Sequence, residues 1–353
     1  MNKLRVAVMG CTGIVGQQFV RMLDGHPYFE VSALFASNRS EGKRYCDAVD
    51  WIVSENIPEC VRDLVIMDAS VEAVKKMGVG IVFSALPTAV AKDIENALRR
   101  EGVYVFSNAS AHRMDNDVPM LIPEVNPTHL ELVEAQISRY GGFIVTNSNC
   151  STTGLVMALK PLLKRGLNSV IVTTYQALSG AGRRGVASLD ILGNIIPYIK
   201  GEEEKIERET IKILGNLHHG GIRGADIEVN ASCCRIPVKD GHLESVIVEL
   251  DEDLDIETIS KTLSSFKGIP QDMRLPTAPE APIILRTEDN RPQPALDVYA
   301  GAPERAKGMA ITVGRIRKKD NRINFFLLVH NTIRGAAGTC ILNAELAVEK
   351  NYI

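Results

Sequence analysis

An apolar run, Leu4 to Met9, passes straight into Gly10-Cys11-Thr12-Gly13-Ile14-Val15-Gly16 and then into a helical pattern from Gln17 to Leu23. No other junction constrains the fold as much. Glycines three apart let the backbone turn sharply out of a buried strand and let a phosphate approach the N-terminus of the next helix. The spacing is G-x-x-G-x-x-G rather than the commoner G-x-G-x-x-G, so its position between strand and helix carries the reading. The alternation continues. Val31 to Phe35, Val79 to Phe83 and Val103 to Phe106 read as buried strands, and Val90 to Arg100 as a helix. Such a pattern predicts a parallel, doubly wound sheet. Gly10, Thr12, Gly13, Ile14 and Val15 are then the expected contacts of a dinucleotide.

The end of the second strand indicates which dinucleotide. A free ribose 2′-hydroxyl usually meets an acid there. Here the chain reads Ala36-Ser37-Asn38-Arg39-Ser40, with the first acid at Glu41 and Lys43 just beyond. The hydroxyls of Ser37 and Ser40 and the guanidinium of Arg39 suit a 2′-phosphate, which favours NADP(H) over NAD(H).

With 353 residues the chain is long enough for two domains. From Ser169 onward the strands change character. Glu244 to Leu250 and Ala310 to Ile316 alternate polar with apolar residues, and Asn324 to Val329 is more uniformly apolar. Half-buried strands suit a mixed, largely antiparallel sheet covered on one face. The expected fold is therefore α/β, a doubly wound domain followed by an α+β domain. Helices are expected over Glu202 to Leu217 and Ile256 to Phe266, an irregular Pro-rich loop over Gly268 to Pro303, and a closing helix through Val348.

Charge is nearly balanced, 40 Lys+Arg against 43 Asp+Glu, which argues against nucleic acid as a partner. Met1 to Gly10 run straight into a strand without the apolar core of a signal peptide, and no stretch reaches membrane-spanning length. Seven cysteines without paired spacing fit a reducing compartment, so a cytoplasmic protein is expected. No metal-ligand spacing is present, and no metal is expected.

One cysteine stands apart. Phe143 to Thr146 is a β-branched, apolar strand, followed by Asn147-Ser148-Asn149-Cys150 and an apolar-periodic segment. Cys150 thus opens a helix, where unpaired backbone N–H groups favour a thiolate, the nucleophile for an acyl carbon. Asn149 or a backbone N–H beside it can stabilise an oxyanion. Gln176 ends the next strand and can orient a carbonyl, and the turn through Ser179, Gly180 and Gly182 can pass close to a flat ring. Glu202 and Lys205 share one helix face. Arg235 and His242 lie seven apart across a Gly-containing turn, which can bring a carboxylate-binding fork and a proton carrier to one rim. Cys233 and Cys234 point to opposite faces of a strand and read as packing residues. Arg113 follows a strand at the ligand-binding edge of the first sheet.

Taken together, these segments resemble the aspartate-β-semialdehyde dehydrogenases, in their archaeal and fungal-like branch, along the whole length. Carrying the resemblance are the glycine turn, Ser107-Asn108-Ala109-Ser110 with Arg113, the run from Asp117 to Asn126 and Asn149-Cys150. Further matches are Gln176 with Ser-Gly-Ala-Gly, Glu202 to Lys205, Arg235 to His242, Asp289 to Pro294 and His330 to Gly338. The resemblance implies a Rossmann-type NADP-binding domain over 1–149, completed by the C-terminal segment 331–353, and a catalytic and dimerisation domain over 150–330. It implies reversible, NADPH-dependent reductive dephosphorylation of L-4-aspartyl phosphate to L-aspartate 4-semialdehyde, toward lysine, threonine, methionine and isoleucine, by a homodimer or homotetramer. Cys150 takes the role of thioester nucleophile, His242 of acid/base and Gln176 of positioning the intermediate. Arg235 meets the substrate carboxylate, Glu202 its ammonium, and Arg113 and Lys205 the phosphate. Asn331 joins the cofactor contacts. Two departures stand out: Ser148 where the family usually has proline, and Arg183-Arg184 where archaeal relatives often carry Tyr-Asn. A malonyl-CoA or succinyl-CoA reductase on the same fold, and a non-catalytic dinucleotide sensor, are the alternative readings.

Overall fold

The computed structural model describes residues 3–218 and 220–353, so the expectation for Met1 and Asn2 lies outside the described residues. The chain divides into two compact units, Met1–Leu121 with Thr128–Asn147 and Ala336–Ile353, and Ile122–Pro127 with Ser148–Gly335.

The first unit holds six parallel strands: β1 (Leu4–Met9), β2 (Phe29–Ala36), β3 (Ile66–Asp68), β4 (Ile81–Ser84), β5 (Tyr104–Ser107) and β6 (Phe143–Thr146). Their order is β3-β2-β1-β4-β5-β6, so the sheet grows outward from β1 in both directions. The point of reversal, where crevices open at strand C-termini, falls at the end of β1, where the glycine turn begins. The four residues of β4 and of β6 are wholly buried, as helices on both faces require. Phe83, Phe106 and Phe143 make successive ring contacts at 5.8 and 5.7 Å across β4, β5 and β6. The closing helix, Gly338–Glu349, is buried nearly all round, which explains its weak amphipathic pattern. His26 holds it: Nδ1 accepts the N–H groups of Tyr28 and Phe29, so Nε2 carries the proton donated to Glu345 at 2.8 Å.

The second unit holds β7 (Leu167–Gln176), the small hairpin β8 (Asn216–His218) and β9 (Gly221–Arg223), then β10 (Glu228–Arg235), β11 (His242–Leu250), β12 (Ile283–Arg286), β13 (Ile311–Lys319) and β14 (Arg322–Val329). Its main sheet runs β10-β7-β11-β14-β13-β12, antiparallel at three junctions and parallel at both edges. β11 alternates buried with half-buried residues along its whole length, the signature of a sheet covered on one face.

Two expectations need correction. The helix expected to reach Leu217 ends at Leu214, because Asn216–His218 is captured as a strand by Gly221–Arg223. Gly215 makes the change possible, since a Cβ there would stand 2.3 Å from the Arg223 carbonyl oxygen. Within the loop expected over Gly268 to Pro303, Ile283–Arg286 forms an edge strand parallel to β13. Four residues directly after Pro282 carry too little pattern to reveal it, because the pairing partner supplies the order.

Candidate active site

The site in the second unit is built on neighbouring rungs of the sheet. Arg235 at the end of β10 pairs with Gln176 at the end of β7, and Leu243 of β11 pairs with Tyr175. His242, one position beyond Leu243, therefore stands beside Gln176. Arg235 and His242 flank Gln176 on strands that do not touch each other, because β7 lies between β10 and β11. One rung further in are Cys233, Thr174 and Glu244. Gln176 is buried and donates to Thr174 Oγ1 at 3.2 Å. Arg235 donates to the Ala177 carbonyl at 2.7 Å. Gly180 closes over both flanks: a Cβ there would lie 2.8 Å from Arg235 Nη1 and 3.1 Å from His242 Cε1. That turn thus passes against the arginine and the imidazole of its own chain.

Cys150 opens the helix Cys150–Leu159, whose N-cap is Asn149. Asn149 Oδ1 accepts from the N–H of Ser151 at 2.9 Å and of Thr152 at 3.2 Å, satisfying two first-turn amides. Its Nδ2 donates to Glu202 Oε1 at 2.7 Å, and Lys205 holds Glu202 Oε2 at 3.3 Å. The backbone N–H of Asn149 donates to Glu209 Oε2. Glu209 escaped the sequence reading, although its place seven residues after Glu202 puts both carboxylates on one helix face. Ser148 brings hydrogen bonds where proline would bring stiffness: its hydroxyl lies 2.8 Å from Thr153 Oγ1 and 3.1 Å from the Asn149 carbonyl.

The sulfur of Cys150 lies 3.1 Å from His242 Nε2, and the Ala177 N–H donates to His242 Nδ1 at 3.0 Å. A backbone N–H can only donate, so Nδ1 is the unprotonated nitrogen and a neutral ring carries its proton on Nε2, facing the sulfur. His242 is fully buried. Burial first, then the neighbouring Arg235 and His330, hold its pKa well below the ordinary value. Burial also lowers the pKa of Arg235, against the opposing pull of Cys150 and Glu202. A neutral N–H donor, a sulfur at a helix start and a cationic fork therefore meet in one place.

Two family models match the chain, "Semialdehyde dehydrogenase, NAD binding domain" over residues 5–133 and "Semialdehyde dehydrogenase, dimerisation domain" over residues 159–334. The chain is 51% identical to an aspartate-semialdehyde dehydrogenase of Archaeoglobus fulgidus, over 99% of each. It belongs to the aspartate-semialdehyde dehydrogenase family. Its fold follows the crystal structure of the Candida albicans aspartate semialdehyde dehydrogenase with NADP, at a TM-score of 0.90, 38% identity and full coverage of both chains. A malonyl CoA reductase (NADP) of Metallosphaera sedula is 41% identical over 99% of this chain and 98% of the relative.

In this aspartate-semialdehyde dehydrogenase family member the first unit presents the glycine turn. A Cβ at Gly10 would stand 2.6 Å from the Ala85 carbonyl oxygen, and one at Gly16 would stand 2.1 Å from that of Gly10. Gly13 is the N-cap of the helix Ile14–Leu23 and supplies no capping side chain, which leaves the first-turn amides suited to an anion. Thr12, Ile14 and Val15 are half-buried along the turn. Gln17 and Tyr45, unnoticed in the sequence, hold it from behind: Gln17 Nε2 donates to the Thr12 carbonyl and Tyr45 Oη to the Cys11 carbonyl. Ser37 and Arg39 are exposed and Ser40 half-buried just past β2. These residues fit a dinucleotide phosphate. Arg113 also belongs to the first unit, nearly buried, with Nη2 donating to the Asn108 carbonyl at 3.1 Å.

In the second unit Asn331 accepts from the Gly241 N–H at 2.9 Å and donates to Ser179 Oγ at 2.7 Å, which leaves one amide hydrogen for a ligand. Gly182 takes φ +85°, and Arg183 and Arg184 are exposed. Burial pushes the Cys233 thiol up to about 12, as suits a packing residue, whereas Cys234 is half-buried. Among the described residues no cluster of His, Cys, Asp or Glu could hold a metal ion, and no helix is long and apolar enough to cross a membrane.

Glu244, on the second rung, is fully buried, and neither carboxyl oxygen has a hydrogen-bond partner among the described residues. Burial raises its pKa well above 4.5. The unfolded chain ionises this group near 4.5 while the folded chain keeps it protonated, so stability falls as pH rises from there toward the folded value. Glu244→Gln removes that linkage. The variant is expected to melt higher than the parent at pH 7–8, with a gap that narrows toward pH 4.5 at up to about 1.4 kcal/mol per pH unit. Parallel thermal melts at both pH values measure it, and an unchanged gap contradicts a neutral Glu244.

Proposed function

We propose that this chain catalyses the reversible, NADPH-dependent reductive dephosphorylation of L-4-aspartyl phosphate to L-aspartate 4-semialdehyde through a thioester on Cys150. The observation that carries this reading is the 3.1 Å contact of the helix-opening sulfur with His242 Nε2, on a sheet end shared with Gln176 and Arg235. The Cys150 thiolate attacks the acyl carbon. A C–S bond forms, the bond between the acyl carbon and the bridging oxygen breaks, and phosphate leaves with that oxygen beside Lys205. The Arg235 fork takes the substrate carboxylate and the Glu202 carboxylate takes its ammonium. Bound NADPH supplies a hydride, and a thioester carbonyl accepts one far more readily than a carboxylate. Gln176 orients that carbonyl, and the Nε2–H of His242 donates to the oxygen that gains charge and then to the departing sulfur. Expulsion of the thiolate from the tetrahedral adduct yields the aldehyde and restores Cys150.

Support for NADP(H) comes from Arg39 and the two serines past β2, and from the Candida albicans relative, whose crystal structure is of the enzyme with NADP. Ile171, Ile195 and Tyr198 are exposed, and Tyr175, Leu243 and Phe326 line an open apolar groove with Ile195. Together with the dimerisation-domain match over 159–334, this supports a second copy of the chain as partner of that face, in a homodimer or homotetramer.

The malonyl CoA reductase among the relatives makes substrate choice the deciding test. Malonyl-CoA has no ammonium for Glu202. NADP+ reduction with aspartate semialdehyde and phosphate is expected to exceed NADPH oxidation with malonyl-CoA by about 10- to 100-fold in kcat/KM, as the loss of one charge-assisted contact to Glu202 implies. Reversed preference rejects the aspartyl assignment. A monomer mass for the same sample in solution removes the partner from the apolar face.

A further inference from the structure

The chemistry above leaves one buried ion pair unused. Arg334 Nη1 and Nη2 donate to Glu124 Oε1 and Oε2 at 2.9 and 2.6 Å, and both side chains are fully buried. Nη2 also lies 3.1 Å from Met157 Sδ. Met157 follows Cys150 by seven residues, two turns along the same helix, so the two project from one side of it. The residue after Arg334 meets the other end of that side. A Cβ at Gly335 would stand 2.7 Å from Cys150 Cβ and 2.9 Å from its Cα, so bare backbone presses on the nucleophile.

The same short segment reaches His242. Gly335 N–H donates to the His330 carbonyl at 2.9 Å, which closes a wide turn running into the π-helix Ile333–Ala337. Asn331 binds the N–H of Gly241, the residue directly before His242, and also Ser179 beside Gly180. One wide turn, 330–335, therefore touches Cys150 at one end and the backbone leading into His242 at the other.

We propose that the Glu124–Arg334 pair is a positioning device that sets the separation of Cys150 Sγ and His242 Nε2, acting through Gly335 without touching substrate. The inference rests on the reading of Cys150 as nucleophile. A buried bidentate pair has one geometry, and losing either partner strands a charge, so the turn it anchors cannot drift. A shift on the order of 1 Å in the reacting groups is enough to slow a positioned reaction on the order of 100-fold.

The test replaces the pair by apolar residues, Glu124→Leu with Arg334→Met, so that no buried charge remains. The readouts are kcat, KM and the rate at which iodoacetamide alkylates Cys150, mapped by mass spectrometry without substrate. The expected result is a folded enzyme with KM within about twofold of the parent, kcat lowered on the order of 10- to 100-fold, and a slower alkylation whose pH midpoint has moved. A purely structural pair would lower the melting temperature and leave the alkylation profile in place; a folded double variant with parental kcat and alkylation overturns the proposal. Should that variant fail to fold, Arg334→Lys decides, because it keeps the buried charge pair and gives up its two-pronged geometry. Parental kcat and alkylation in that protein also overturn the proposal, and a loss of kcat with KM retained supports it. Alkylation needs no substrate, so an inactive parent would reject the enzyme assignment while leaving this comparison readable.

Discussion

Cys150→Ala is expected to lower kcat for semialdehyde-dependent reduction of NADP+ by roughly 10⁵- to 10⁶-fold, the scale seen when a covalent nucleophile is removed. No neighbouring group can replace it. Ser151 and Thr152 follow on the same helix, but both are wholly buried, whereas Cys150 is partly open. Among the other cysteines, Cys233 sits on the inner rung with its thiol pushed up to about 12, and Cys234 points to the other face of its strand. The variant should keep the parental melting temperature, because Cys150 is only partly buried and stands at the first position of its helix. Single-turnover kinetics with mass detection of the acyl adduct provides the check. Residual turnover within 100-fold of the parent, or an adduct mapped to another residue, removes Cys150 from its role.

His242→Ala should cost about 10²- to 10⁴-fold in kcat, and His242→Gln distinctly less. The reason is the direction of two hydrogen bonds. The Ala177 N–H occupies Nδ1, so the ring presents Nε2–H to the sulfur, and a glutamine amide can offer a similar N–H donor. The pH dependence follows from the same geometry. Burial, then Arg235 and His330, hold the folded pKa of His242 well below 6.5, so the ring stays neutral as pH falls through that value. The kcat profile should accordingly show no limb near 6.5 belonging to His242. The stability consequence has the opposite sense from a salt-bridged histidine. Below about 6.5 the unfolded chain takes up a proton that the folded chain refuses, so His242 destabilises the fold as pH drops and contributes nothing above that value. A limb near 6.5 that vanishes in His242→Gln, or equal losses in both variants, would contradict the fixed-donor picture.

Much of the fold was readable residue by residue. The glycine turn after Leu4–Met9, the apolar-rich strands of the first unit and the two-residue alternation in β11 are local statements about burial. Periodicity reports burial directly. The failures were local as well. Ile283–Arg286 becomes a strand because β13 pairs with it, and the helix from Glu202 stops at Leu214 because a hairpin claims the next residues. Cys150 was legible because strand, Asn cap and helix start are consecutive. Glu209 was not, since an acid on an acidic helix looks like ordinary solvated surface until the Asn149 N–H is found beneath it.

The amino-acid order by itself determined which segments extend, which coil and where a sulfur meets unpaired amides, because caps, glycines and apolar periods act over a few residues. Only the tertiary structure decided what the sulfur faces. Cys150 and His242 are 92 residues apart, and Glu124 and Arg334 are 210 apart. β7 had to lie between β10 and β11 before Arg235, Gln176 and His242 could stand side by side. Which of the two ring nitrogens turns toward the sulfur was likewise decided by a backbone N–H at Ala177, a group that every residue but proline carries and no sequence pattern distinguishes.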